Sequence, residues 1–418
     1  MNLMANKNIL FISYDGMTDP LGQSQVIPYL AGLTKSGYTF TILSCDKPDK
    51  YALHGEYVKQ LMSHYPIKWV SIPYHKNPPV LSSWYDYQML RKTAARLHRE
   101  NHFDLVHTRV GTPALVGYWL KRKYGIKHLN DIRGFWADER VEGGIWNIKN
   151  PVYKSIYRFF KKKEDEIIAN ADYNTCLTYA ARNEINSWHH IAKRPIPIEV
   201  IPCSADMLLF DPANIDTGLK RNFKSELNIK DDDIVITYLG SIGGWYLTAE
   251  MMRFCKLLSE KMPAAKFLFI TPHPLEIILS AAKQDGLSVD KIIVCQGKRH
   301  EVPALLSLSS YSIFFIKPCY SKIASSPTKH GEIMAMGIPV ITNGGVGDVK
   351  EIVEKSNGGY VVDDFTTESF NRVINKILAG NPFQPAAIRD AAIETYALEN
   401  AVNSYRSVYS KIFEDAKD

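Results

Sequence analysis

The residues best suited to chemistry lie in the segment Ser325 to Thr342, SSPTKHGEIMAMGIPVIT. Ser325 or Ser326 followed by Pro327 reads as a helix start, with a hydroxyl as cap and proline at the first position, and Gly337 supplies a left-handed stop. Such a start offers unpaired N–H groups and the positive end of the helix dipole. Ser326, Pro327, Thr328 and Lys329 therefore form a bed for an anion such as a diphosphate. Glu332, one turn on, is placed to accept hydrogen bonds from sugar hydroxyls. Lys329 is expected to meet charge at the helix end without packing. The same residues would also make an ordinary capped helix with a solvated lysine and glutamate.

A second segment, Tyr238 to Leu247 (YLGSIGGWYL), follows a predicted strand. Gly240, Ser241, Gly243 and Gly244 allow a tight turn and close approach of backbone to phosphate oxygens, or simply a turn. The spacing is not G-x-G-x-x-G, and the next strand ends in Ile270-Thr271-Pro272 without the acid that would hold a nicotinamide ribose. No G-x-x-x-x-G-K-[ST] occurs, so P-loop chemistry loses its main support. Lys298-Arg299-His300 follows another predicted strand end, where Arg299 reads equally as a phosphate contact or a basic surface turn.

In the first half, Tyr14 to Gln25 (YDGMTDPLGQSQ) is a long polar loop offering Asp15, Gly22 and Gln23 to a ligand and leading into one amphipathic helix that ends at Gly37. Asn130 to Trp146 crowds Asp131, Arg133, Asp138 and Glu139 beside Phe135, Trp136 and Trp146. Three large aromatics among charges favour a cleft over bland surface, since sugar rings stack on aromatics and charged groups fix hydroxyls. A helix capped by Asn150, with Pro151 first, carries Tyr153, Ile156, Tyr157 and Phe160 opposite Lys154, Arg158, Lys161 and Lys162. It is expected to bury its aromatics as a crossover helix, with contact to anionic lipid as the other reading. Asp231-Asp232-Asp233 reads as solvated turn charge, and His189-His190 has no partner at ligand spacing, so no metal is assigned.

These loops need a scaffold. Short β-rich runs alternate with helix-period segments along the whole chain, the pattern of parallel sheets with crossover helices. Seven strands are expected before residue 202 and six from Ile234 to Val362, the fourth of these at Ile313 to Ile316. The fold class is α/β, with two doubly wound domains: 1–204, onto which a last helix at 396–418 packs back, and 205–395. In such sheets ligands sit beyond the carboxyl ends of the strands, so two facing domains would bind two substrates across one cleft.

Composition limits the function classes further. The chain has 418 residues, 45% apolar and 22% charged, with a net charge of +6. That is globular, and too mildly basic to argue for nucleic acid. No run approaches the ~18 apolar residues that cross a bilayer, Met1 to Ser13 has an apolar stretch of only Ile9 to Ile12 with no small-residue cleavage site behind it, and the six cysteines are scattered. A cytoplasmic protein is expected, at most touching the inner face of the membrane.

The segments YDGMTDPLGQSQ, DIRGFWADER, VIPCSADMLLF, GSIGGWY and SPTKHGEIMAMGIPVITNGGVGDVKEIV together resemble the GT-B glycosyltransferases, specifically glycosyltransferase family four. The resemblance covers nearly the whole chain. It implies two Rossmann-like domains and transfer of a sugar, with retention, from a UDP- or GDP-linked donor to a glycan or polyprenyl-linked acceptor in cell-surface polysaccharide synthesis. The nucleotide sugar is then a substrate, and neither cofactor nor metal is needed. Glu332 matches the glutamate that holds the nucleotide ribose, and Lys329 the diphosphate-binding stretch. Ala324 stands where the family's first glutamate would approach the donor sugar, and Ser241 where an arginine often follows the glycine. A silent nucleotide- or sugar-binding protein and a nucleotide-sugar epimerase of the same shape are the alternatives.

Overall fold

In the computed structural model, which describes residues 7–414, thirteen strands form two wholly parallel sheets. The first contains β1 (Lys7–Ser13), β2 (Tyr38–Asp46), β3 (Ile67–Pro73), β4 (Leu105–Arg109), β5 (Lys127–Ile132), β6 (Tyr173–Cys176) and β7 (Ile198–Val200), in the order β3-β2-β1-β4-β5-β6-β7. The second contains β8 (Ile234–Leu239), β9 (Ala265–Ile270), β10 (Ile292–Cys295), β11 (Tyr311–Ile313), β12 (Val340–Asn343) and β13 (Gly359–Val362), in the order β10-β9-β8-β11-β12-β13. Central strands such as ILFIS in β1 are buried on both faces because helices cover both sides of a parallel sheet. The expected strand Ile313 to Ile316 is displaced. Pairing in β11 covers Tyr311–Ile313, and Ile316 instead makes an antiparallel bridge with Tyr246 of the glycine turn.

The strand order reverses between β1 and β4 and between β8 and β11. At those positions crossovers leave to opposite sides, and a crevice opens beyond the carboxyl ends. The loops after β1, β4 and β5 meet at the first crevice, and those after β8, β11 and β12 at the second.

The chain divides into two units, residues 1–202 with 398–418, and residues 203–397. Residues 415–418 of the last expected helix, and residues 1–6 of the N-terminal stretch read for a leader, lie outside the described residues. The helix Leu398–Glu414 belongs to the first unit and buries Tyr405, Val408, Tyr409 and Ile412, a stripe at helical spacing. At roughly 2 kcal/mol per large apolar side chain, that stripe is a substantial share of the unit's core. Tyr409 packs on Tyr38 at 5.0 Å and Tyr405 on Tyr29 at 5.9 Å. Gly32 is needed there, because a Cβ would come within 2.6 Å of a Val402 methyl. The second unit has its own core, rich in phenylalanines such as Phe254, Phe315 and Phe370.

Two helices differ from expectation. The segment after Tyr14 gives two short helices, Pro20–Gln25 and Ile27–Thr34: Val26 leaves helical geometry (φ −128°, ψ −66°), and Pro28 has no N–H to carry the ladder back to the Ser24 carbonyl. In Pro151–Asn170 the Asn150 side chain accepts from the Val152 amide (2.9 Å), as expected of a cap, but Ile167 and Ile168 are its only buried residues. Tyr153, Ile156, Tyr157 and Phe160, expected to be buried, are only half-buried, and Val152 and Phe159 beside them are exposed. Among the described residues, no helix is long and apolar enough to cross a membrane.

Candidate functional site

In the second unit the helix Thr328–Ala335 starts beside the turn after β8. Pro327 is the cap residue, and no side chain caps the helix. This corrects the expected serine cap: the Ser326 hydroxyl accepts from the Cys203 amide (3.2 Å), tying the helix start to the beginning of the unit. The amides of Thr328 and Lys329 belong to the first turn, which has no intrahelical acceptors. Gly337 ends the helix at φ +70°, where a Cβ would meet the Pro385 carbonyl at 2.8 Å. Arg389 fixes the other end, donating to the Ala335 carbonyl (2.6 Å) and the Phe210 carbonyl (2.7 Å) while pairing with Asp211 (2.9 Å).

Lys329 is packed, contrary to the expectation that it stands at the helix end without packing. Its Nζ lies 3.7 Å from the Tyr246 ring centroid and 4.4 Å from that of Tyr238, and it donates to the Tyr238 hydroxyl (3.3 Å). Only 8% of the residue is exposed. Burial pulls its ammonium down to about 7, against an opposing effect of Glu332. Gly240, at φ +119°, roofs this position, and a Cβ there would stand 2.8 Å from Nζ. Gly243 and Gly244 follow at φ +75° and +62° with open space beside them, and the Ser241 carbonyl accepts from the Tyr238 hydroxyl. The helix start, the lysine and the glycine turn are therefore one construction.

Glu332 is buried and accepts from Arg299 at 2.5 Å. Burial raises its carboxyl above the ordinary value, while Arg299 and Lys329 pull it back. Arg299 is half exposed and lies over the Phe210 ring at 5.0 Å, so this basic turn is part of the site. Lys322 lies 3.9 Å over the Trp245 ring, and Ala324 is fully buried at the end of a short 3₁₀ turn. Two buried polar contacts near the site were not anticipated. His330 is buried, held neutral by burial, and bonded through Nδ1 to Tyr396 (3.0 Å), and Asn343 clamps both the amide and the carbonyl of Ile316 (2.9 Å each).

In the first unit the crevice holds a cluster of charges. Arg109, the last residue of β4, lies 3.6 Å from Asp15 and donates to the Gln25 carbonyl (3.5 Å). Arg133 donates to Gln25 Oε1 (3.4 Å) and stands 3.9 Å from Asp131. Asp131 also accepts from Thr175 (2.9 Å). Burial would raise its carboxyl, but Arg133, His107 and Arg109 hold it down at about 2. His107, kept neutral by burial, bonds Tyr409 of the last helix (2.8 Å). Asp15 is half exposed, so it is the carboxylate of this cluster that meets solvent.

The predicted residues therefore separate. Asp131 is an enclosed counter-ion, not a group presented to substrate. Asp138 is enclosed too, accepting from Tyr157 and Lys161 (2.8 Å each), while Glu139 on the same short helix is half-buried near Gly134. Gly22 serves packing: a Cβ there would come 2.4 Å from the Gly16 carbonyl oxygen. Gln23 donates to the Thr18 carbonyl (3.2 Å), and Asp46 accepts from the Thr18 amide (3.1 Å), Ser44 and Ser71, so the loop after β1 is braced from β2 and β3. Of the acidic triplet, Asp231 is solvated turn charge paired with Lys224, as expected, whereas the Asp233 side chain is enclosed, accepting from the Lys230 amide (2.8 Å) and lying 3.6 Å from Lys266.

Residues 22–207 match the family model described as Glycosyltransferase Family 4, and residues 220–395 match Glycosyl transferases group 1. No curated protein sequence matches the chain. Among solved structures, sucrose-phosphate synthase from Thermosynechococcus elongatus is similar at TM-score 0.71 and 15% identity, covering 98% of this chain and 100% of that one. Anabaena HepE in complex with UDP is similar at TM-score 0.70 and 12% identity, covering 96% and 99%. WaaG, a glycosyltransferase involved in lipopolysaccharide biosynthesis, is similar at TM-score 0.67 and 14% identity, covering 96% and 99%.

Proposed function

The chain belongs to the glycosyltransferases of family four, group 1, with the GT-B fold, and from that premise we propose that it moves a sugar from a nucleoside diphosphate to a glycan or lipid-linked acceptor. The observation that carries the proposal is the joint construction of helix start, Lys329, Arg299–Glu332 and glycine turn in the second unit. The similar HepE structure holds UDP, which makes UDP the first nucleotide to try.

In this reading the donor diphosphate lies on the amides of Thr328 and Lys329, against the positive helix end. Charge grows on the diphosphate as the glycosidic bond breaks, and donors already in place stabilise that charge without reorganising. A diphosphate beside Nζ restores the proton that burial has made labile in Lys329. Arg299 and Lys322 are the further cations at hand, so the leaving group is neutralised by side chains and no metal is invoked. Glu332 accepts from ribose hydroxyls once Arg299 turns toward the phosphates. On the acceptor side, Asp15, held by Arg109, is the exposed carboxylate that orients a sugar hydroxyl. Retention, with the bond to the leaving group breaking ahead of attack on the same face, and a role in cell-surface polysaccharide synthesis complete the proposal. The similarity to WaaG is consistent with that role.

Thermal unfolding with UDP, GDP, ADP, CMP and dTDP tests it, because a ligand that binds only the native state raises the melting temperature. Product analysis with the sugar of the stabilising nucleotide then separates the readings. Transfer requires an acceptor, an epimerase releases a new sugar nucleotide, and a silent binder gives neither. No stabilisation by any nucleotide at millimolar concentration would refute the donor site at Lys329 and Glu332.

A further inference from the structure

The first unit carries a cavity of about 1020 Å³, at the upper end for small-molecule sites. It lies between the helices Leu81–Asn101, Thr112–Tyr124 and Pro151–Asn170, and one end reaches Tyr14, Tyr74 and Trp136, which follow β1, β3 and β5. Its walls are aromatic. Trp136 packs on Phe160 at 4.7 Å and on Trp146 at 5.3 Å, while Trp84 and Phe159 stand 62% and 49% exposed at the mouth. Large apolar side chains gathered around a hollow mark a binding surface.

The charges at the rim are of one sign. Lys76, Arg122, Lys123, Arg140 and Lys163 line the cavity, and no aspartate or glutamate does. Lys163 pairs with Glu166. Three others lie over rings: Arg140 is 4.9 Å from the Trp136 centroid, Lys123 5.0 Å from Trp119, and Arg122 5.8 Å from Tyr118. A purely apolar ligand would gain nothing from such a rim, and a flat bilayer would not fill a hollow of this size. The complementary molecule has a long hydrocarbon chain and an anionic head.

We propose that this groove holds the chain of a lipid phosphate, the carrier of a lipid-linked acceptor, with the phosphate at the cationic rim. The proposal rests on reading the first unit as the acceptor side, since the groove reaches Tyr14 and Trp136, one and three residues along the chain from Asp15 and Arg133. Tyr153, Phe159 and Phe160 of the helix Pro151–Asn170 form one wall of this site.

Farnesyl diphosphate below its micelle concentration is the probe, and tryptophan fluorescence the readout, because Trp84, Trp119, Trp136 and Trp146 are four of the seven tryptophans. A saturable change is expected, with farnesol and inorganic diphosphate each binding at least tenfold more weakly. Phe159→Asp should weaken farnesyl diphosphate at least tenfold. The double variant Arg122→Glu, Lys123→Glu should weaken it similarly while leaving farnesol binding unaltered. All three positions are on the surface, and an unchanged melting temperature without ligand shows that the variants fold. The proposal is overturned by an absent or unsaturable response, or by indifference to Phe159→Asp. It is equally overturned by a response to phosphatidylglycerol vesicles alone, or by a concentration-dependent dimer that Phe159→Asp abolishes. Nucleotide stabilisation, read separately, keeps the two assignments apart. UDP binding without lipid binding removes the groove alone, and lipid binding without nucleotide binding removes the donor site alone.

Discussion

Replacing Lys329 with methionine should abolish a proton uptake that accompanies nucleotide binding. In the free protein the buried ammonium titrates at about 7. A diphosphate beside Nζ returns it to the ordinary lysine value near 10.4. At pH 8 about 0.9 proton is then taken up per nucleotide, and at pH 7 about 0.5. Uptake means that affinity falls with rising pH, by up to tenfold per unit between about 7 and 10.4. The free protein's stability has the opposite slope. Its folded-state value lies below the unfolded one, so stability rises as pH climbs through the same window. Methionine is the informative replacement because it fills the space between Tyr238 and Tyr246 without a charge. Removing a poorly solvated cation should leave the melting temperature at or above the parent's at pH 7, whereas alanine opens a cavity and should lower it. Isothermal titration calorimetry with UDP at pH 8, in Tris and in phosphate, reads the uptake as the buffer dependence of the binding enthalpy. A parent protein without buffer dependence, or a methionine variant with the same dependence, would refute the reasoning.

Glu332→Gln should weaken UDP about tenfold or more in the same calorimeter, since a hydrogen bond to a charged group contributes about 1.5–3 kcal/mol. Asp131, held at about 2, lends stability that is complete above its unfolded value near 3.9 and lost as pH falls toward 2. About 1 kcal/mol of it should disappear between pH 5 and pH 3 in urea titrations, and Asp131→Asn should lack that increment. Gly22→Ala should cost about 2 kcal/mol or more, because its methyl would meet backbone atoms of Gly16 and Met17, which cannot step aside as a side chain can; the shift in urea midpoint measures it.

The architecture was legible because parallel strands buried on both faces are apolar runs, and each is bounded by glycine, proline or a cap. All thirteen strands follow from such runs, and only β11 slipped, where the bridge of Ile316 to Tyr246 depends on a distant turn. The helix start at Pro327 was legible from local chemistry. What Ser326 and Lys329 do there was not: Tyr238 looks like any residue of a buried strand, and only the fold brings its ring to Nζ. Arg109 offered a signal that went unused, a charge ending the apolar strand LVHTR at a sheet's reversal point. Asp131 and Asp138 stood out as charges beside aromatics, yet spacing along the chain cannot tell a carboxylate facing solvent from one enclosed by Thr175, Tyr157 or Lys161.

The return of Leu398–Glu414 to the first unit has a bearing on synthesis. On the ribosome, residues 1–202 emerge first, but Tyr29, Tyr38 and His107 must wait for Tyr405 and Tyr409 before their shared core closes. The second unit, which closes a core of its own within 203–397, can fold meanwhile as an inserted body. The early segment is the one exposed to proteases and chaperones during translation. A gene joining Pro202 to Leu398 through a short flexible linker should therefore yield a first unit that folds by itself, whereas one stopping at Pro202 should not.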